Sequence, residues 1–299
     1  MLNETILKSK FFHPSDYSYL INIDFSFSML PLVCEEDEPL LIILVHTSVN
    51  NFGKRKVIRE TWGQSENNIK ILFFIGMVEG YDIQNKLEDE SRQYQDLVQG
   101  SFIDSYHNLT YKHVMALKYV VYHCAKAEFI LKVDDDVFVN IPNLKKFIET
   151  YNCQHGMLNK IFCSRLHSPP VLRKGKWKAS LVDYPENNYP THCSGFAILY
   201  PQDVLYLLYS KAQRTKFFWI DDVLVTGILA KNSNISHIGL ENLVLSRKDI
   251  HNIVDLSFTN INKPFLFGDI NLNEHQIRSL WAFVINHTSE ASILDYLNY

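Results

Sequence analysis

From residue 40 onward the chain alternates short apolar runs with amphipathic stretches. Residues 40–46 and 69–75 are nearly continuous apolar runs of strand length, as expected for strands covered on both faces. Residues 51–62 and 83–98, which follow them, space their apolar positions as helices do. A further helical pattern spans 108–125, with Leu109, His113, Ala116, Leu117 and Val120 at helical spacing, and 129–133 follows as a short strand. This alternation predicts strand–helix units around a mainly parallel, Rossmann-like α/β sheet flanked by helices. Residues 142–151 predict another helix. The stretch 164–190, rich in proline and basic residues, reads as an irregular excursion over the surface.

With 299 residues, 46% hydrophobic and 21% charged, the chain has the composition of a globular protein with a substantial core. Without an internal repeat or linker, residues 40–299 read as a single domain preceded by a weakly patterned lead-in, 1–39. A net charge of −4 gives no electrostatic footprint for nucleic acid. No window approaches the ~18 consecutive apolar residues of a membrane-spanning helix, and residues 1–39 show no secretion signal. The five cysteines lack CxxC spacing, which argues against zinc and leaves disulfides or buried thiols, with at least one cysteine unpaired in a monomer. Asn3, Asn108, Asn234 and Asn286 begin N-x-S/T sequons.

The chemistry gathers at acids. Asp134, Asp135 and Asp136 follow the 129–133 strand directly, and in open α/β sheets ligands collect at the carboxyl ends of strands. Three adjacent carboxylates repel unless a cation or strong donors neutralise them. A hard divalent ion, Mn2+ or Mg2+, would do so and leave coordination positions for phosphate oxygens. A solvated acidic turn is the plainer alternative. Asp221 and Asp222 stand between Phe217-Phe218-Trp219-Ile220 and a helix-like stretch, 223–230. Asp222 there is either a helix cap or a general base taking a proton from a hydroxyl.

Five blocks, in order, resemble one family. They are Arg55-Lys56-Val57-Ile58-Arg59-Glu60-Thr61-Trp62-Gly63, the stretch from Asp104 to Lys112, Lys132-Val133-Asp134-Asp135-Asp136-Val137-Phe138-Val139-Asn140, Tyr189-Pro190-Thr191-His192-Cys193-Ser194-Gly195, and Asp221-Asp222-Val223. They are similar to the signatures of the β-1,3-galactosyltransferases and β-1,3-N-acetylglucosaminyltransferases, distant relatives of the Fringe proteins, and cover roughly residues 40–285. The resemblance implies a GT-A fold, with a nucleotide-binding sheet continuing into an acceptor-binding half. It implies inverting, metal-dependent transfer of galactose or N-acetylglucosamine from UDP-galactose or UDP-N-acetylglucosamine, in β-1,3 linkage, to a glycan on a glycoprotein or glycolipid. It implies Asp136 as metal ligand, Asp134 or Asp135 on the metal or the ribose, and Asp222 as base. Arg55, Arg59 and Lys112 would serve the nucleotide, and Trp177 would stack on the acceptor sugar; a charged helix face for the two arginines and core packing for Trp177 are the plainer alternatives. Membrane-associated residence in the Golgi lumen is likewise an expectation of the resemblance alone.

Two departures stand out. Where the family has a metal-ligating His on a later strand, this chain has Gly268-Asp269, so Asp269 is the expected substitute, with His237 and His251 as poorly registered replacements. Phe196-Ala197 follow Ser194-Gly195 where many members have glycines, which reshapes the expected sugar pocket. The lost His leaves a catalytically silent, glycan-binding or chaperone-like relative as the competing expectation. A nucleotidyltransferase would need a Gly-rich phosphate loop, which is absent from this sequence.

Overall fold

The computed structural model describes residues 26–34, 38–64, 66, 68–255, 263–287 and 293–297. Eight strands form one sheet: β1 (Phe27–Met29), β2 (Leu41–His46), β3 (Ile69–Met77), β4 (Leu97–Ile103), β5 (Phe129–Asp134), β6 (Lys160–Leu166), β7 (His192–Pro201) and β8 (Ser236–Gly239). Their spatial order is β1-β4-β3-β2-β5-β7-β6-β8. The central strands β4, β3, β2 and β5 are mutually parallel, as the strand–helix alternation predicts. Antiparallel pairing enters at the β1 edge and through β7.

The helices are α1 (Phe52–Glu60), α2 (Tyr81–Tyr94), α3 (Leu109–His123), α4 (Ile141–His155), α5 (Gln202–Ala212), α6 (Arg247–Asp255) and α7 (Glu274–Asn286), with a π-helix at Val223–Leu229. Successive side chains of a strand point to opposite faces, so fully buried β2 feeds two cores. Ile42 and Leu44 pack with α3, α5 and the π-helix. Leu41, Ile43 and Val45 pack with α1, α4, α6 and α7. Helices on both faces explain why β2 reads as a continuous apolar run.

The chain steps outward from β2 to β3 and β4, then returns to place β5 on the other side of β2. That reversal opens a crevice at the carboxyl ends of β2 and β5, the usual ligand position in such sheets. His46 and Asp134 are in register across it. Residues 167–191 contain no regular element beyond a Pro170–Asn188 bridge, in keeping with the irregular excursion, and they overhang this end.

Within the lead-in, residues 1–25, including Asn3, lie outside the described residues. Strand β1 adds to the sheet edge, a role its three residues were too short to announce. Cys34 pairs with Cys124 at the end of α3, and Cys163 pairs with Cys193, leaving Cys153 free. The first disulfide spans 90 residues. Opening so long a loop by Cys34→Ser is expected to cost about 2–5 kcal/mol, read as a lowered midpoint in urea unfolding; an unchanged midpoint would show that the lead-in is not stapled to the domain. Among the described residues no helix is long and apolar enough to cross a membrane.

Candidate active site

The crevice is a cavity of about 930 Å³ that holds all five acids of the two clusters, with Lys54, Lys112, Lys132, Tyr106, Trp177 and Gly195 among its lining. A hollow of about 1160 Å³ lies at the opposite end of β3, lined by residues 29–33, Arg59 and Asp96, and contains none of these acids. The candidate acids therefore all lie in the former.

The three consecutive acids divide their work. Asp135 is buried and spent on structure: its carboxylate accepts from Thr47 Oγ1 at 2.6 Å, Asn51 Nδ2 at 2.7 Å and Lys54 Nζ at 3.0 Å, fastening β5 to the end of β2 and to α1. Asp134 takes Lys132 Nζ at 2.6 Å and lies part-buried in the cavity wall. Burial, with Asp221 and Asp136 nearby, pushes its carboxyl up to about 6 against the pull of Lys132. Asp136 is likewise raised by burial and by Asp135, against Lys54, whose ammonium lies 3.7 Å away.

Lys132 reaches across to the Gly195 carbonyl and so ties β5 to β7. Lys112 is buried, donating to the Thr47 carbonyl at 2.6 Å and to both oxygens of Asp104 at 3.0 Å, while Asp104 accepts from the Gly76 amide. The Asp104–Lys112 block is therefore a clamp on the ends of β2 and β3 beneath the cavity. Burial lowers the lysine's proton affinity despite Asp104.

At the cavity's other wall, Asp222 precedes the π-helix. One oxygen accepts from the Val223 amide at 2.8 Å, the capping contact its sequence position suggests. The other stands 3.4 Å from where a Cβ at residue 195 would be, so it faces the Gly195 backbone. Burial and the adjacent Asp221 charge push the Asp222 carboxyl up to about 7. For Asp221 burial acts upward as well, but a hydrogen bond with His113 and the charge of Lys132 outweigh it and hold the carboxyl below its ordinary value. Trp177 lies half exposed on the rim, its indole N–H donating to Tyr106 Oη, and Lys176 stands 4.3 Å over the Tyr106 ring. Trp219 continues this aromatic wall, its ring 6.1 Å from that of Tyr106.

Three expectations need correction. Arg55 is fully buried and faces α2, with Nη2 2.7 Å from Glu90 and Nη1 2.7 Å from the Ser48 carbonyl. Arg59, one turn on, pairs with Glu90 and Asp96 and lines the other hollow. Neither guanidinium lines the acid-bearing cavity; Lys54, about 100° around the helix from Arg55, faces it instead. Asp269 also lies outside the lining, 3.2 Å from Arg247 Nε and capping the Ile270 amide. Neither replacement faces the acids, since His237 bonds the Thr226 carbonyl and His251 bonds Asp255.

Sequence reasoning missed Thr47, Lys54 and Lys132 as the groups that organise the acids. It also missed His46, buried at the crevice with neither ring nitrogen partnered among the described residues. A cation next to an acid run was the available signal for Lys132; the others need the fold.

Residues 53–241 match the family profile described as Galactosyltransferase. The chain belongs to the galactosyltransferase family. It is 31% identical over 254 residues to beta-1,3-galactosyltransferase 1 of Mus musculus, covering 77% of this chain and 72% of that one. It is 32% identical to the lactosylceramide 1,3-N-acetyl-beta-D-glucosaminyltransferase A of Xenopus laevis, covering 74% of this chain and 60% of that protein. The family makes it a hexosyltransferase. Among solved structures, a glycosyltransferase involved in glycosylating the major capsid of PBCV-1 is similar at 13% identity and a TM-score of 0.39, over 81% of this chain and 98% of that one. That likeness is too slight to add to the strand order and the family match.

Proposed function

We propose that this galactosyltransferase-family protein moves galactose or N-acetylglucosamine from the corresponding UDP-sugar to a glycan hydroxyl, forming a β-1,3 bond with inversion. The acceptor is a glycan of a glycoprotein or glycolipid. The observation that carries this function is Asp222, a carboxylate with near-neutral proton affinity and one oxygen towards Gly195, in the same cavity as Asp134 and Asp136.

Asp222 takes the proton of the acceptor's 3-hydroxyl. The hydroxyl oxygen forms its bond to the anomeric carbon on the face opposite UDP, and the carbon–oxygen bond to UDP breaks with its electron pair leaving on the diphosphate. A donor with an α bond therefore gives a β product. Trp177 offers a half-exposed indole face on which the apolar side of the acceptor ring packs.

Asp134 and Asp136 fit a hard divalent cation in donor chemistry, since both are oxygen ligands with raised proton affinity from crowding and burial, which a cation relieves. Among the described residues no group of three or more His, Cys, Asp or Glu converges on a metal position, so substrate phosphates and water would complete the coordination. Bound there, Mn2+ or Mg2+ supplies neutralisation of the leaving diphosphate. The two disulfides suit an oxidising compartment, which supports the Golgi lumen as the site of action.

Asp222 works as a base only when ionised. Activity is therefore absent below its proton affinity and present above it: kcat/KM is expected to rise with pH to a plateau, half-maximal near the value of about 7 that burial and Asp221 impose. Transfer from UDP-galactose and UDP-N-acetylglucosamine, measured with Mn2+ against galactose- and N-acetylglucosamine-ended acceptors, tests both donor and profile. A flat profile between pH 5 and 9 would remove Asp222 from the reaction.

A further inference from the structure

Behind the two acids a run of buried side chains leads away from the cavity. His113 on α3 is fully buried, with Nδ1 2.9 Å from Asp221 Oδ2 and Nε2 3.1 Å from Tyr200 Oη on β7. Tyr200 is itself fully buried. Burial lowers the imidazole's proton affinity, and burial with the nearby Asp221 and Asp222 raises that of the phenol well above its ordinary value. A neutral ring has one N–H. Facing a carboxylate, Nδ1 must carry it, and Nε2 then accepts from the phenol, which cannot surrender its proton. The Asp221 carboxylate thus fixes one tautomer of His113, and Tyr200 satisfies the ring's other nitrogen.

The same helix holds the segment bearing the acids at a second point. Thr110, one turn before His113 on the same face, donates to the Phe218 carbonyl at 2.7 Å. From the other side Thr226 donates to the Asp222 carbonyl and accepts from the Cys193 amide. The charged and titratable groups facing this run are Lys132 and Asp134 from β5, Asp222 beside Asp221, Tyr106 and Tyr189 towards the acid pair, and His46 from β2, whose ring centroid is 5.4 Å from that of His113.

We propose that His113, with its Nε2 satisfied by Tyr200, is a positioning residue that holds Asp221 as an anion and thereby keeps the exchangeable proton of the acid pair on Asp222. The inference rests on Asp222 being the base. Two adjacent acids that retain one proton place it on whichever is the poorer anion. With His113 donating to Asp221, that site is Asp222, so a proton arriving from the acceptor hydroxyl finds a strong enough base at the cavity. Without the donation the proton moves to Asp221, and Asp222 becomes an anion of lower proton affinity and a weaker base.

The test compares kcat and kcat/KM against pH for the unaltered protein, His113→Leu, His113→Gln, Tyr200→Phe and Asp222→Asn, with thermal melting and UDP calorimetry on each. His113→Leu is expected to lower kcat about tenfold or more and to move the acid limb of kcat/KM to lower pH, with donor KM unchanged. His113→Gln, whose amide can donate to Asp221, returns the limb towards that of the unaltered protein. Tyr200→Phe moves it in the same direction as His113→Leu, by less. If His113→Leu does not fold, the glutamine and phenylalanine variants carry the comparison. A kcat loss with an unmoved acid limb, or unchanged kinetics in folded His113 variants while Asp222→Asn is inactive, overturns the inference. Full activity in Asp222→Asn overturns the base itself, a separate outcome.

Discussion

Asp222→Asn is expected to lower kcat about 10²–10⁴-fold, the range a positioned general base contributes, while leaving the affinity for UDP and Mn2+ unchanged. The amide keeps the size of the carboxyl and its acceptor oxygen for the Val223 amide, so the cap at the start of the π-helix survives. What disappears is the proton acceptor facing Gly195. Steady-state kinetics paired with UDP calorimetry separates the two functions. A variant losing affinity and rate together would make Asp222 a binding residue, and one retaining rate would leave only the cap.

The second large effect concerns folding. Arg55→Ala leaves Glu90 buried opposite an empty space, and an ion pair broken from one side in a buried setting costs about 3–5 kcal/mol. Arg55 is fully buried and Glu90 is 8% exposed, which puts the pair in that class, although the neighbouring Arg59 retains its own contact with Glu90 at 2.7 Å and softens the loss. Equilibrium unfolding should show the destabilisation, and protein folded at low temperature should bind UDP with ordinary affinity. Selective loss of UDP affinity at unchanged stability would restore Arg55 to the nucleotide site.

These two residues show how far the sequence reaches. The central sheet was legible because fully covered strands write themselves as unbroken apolar runs, as at residues 40–46, and the position of Asp134 at a strand end followed from that. The edge strand β1 was not, since three residues of mixed burial carry no period. Asp222 was legible from its place before a helix-like stretch as either a cap or a base, and the capping contact and the raised proton affinity occur together at it. Which side of α1 meets the cavity was not legible. Arg55 and Lys54 are adjacent cations, and only the packing of α1 against α2 decides that the arginine turns to Glu90 and the lysine to Asp135. Asp269 failed for a related reason: the neighbouring Ile270 and Asn271 line the cavity, whereas its carboxylate turns to Arg247. His113 was hidden inside a helical pattern that assigned it to the core, where it does lie, bonded to the acid pair.

The most direct test of the central claim is the anomeric configuration of the product, read by NMR after reaction of either UDP-sugar with a glycan acceptor and Mn2+. Direct displacement with Asp222 as base predicts a new β bond to the 3-hydroxyl from the first turnover. An α-linked product, or no transfer from either donor by folded protein, would contradict it.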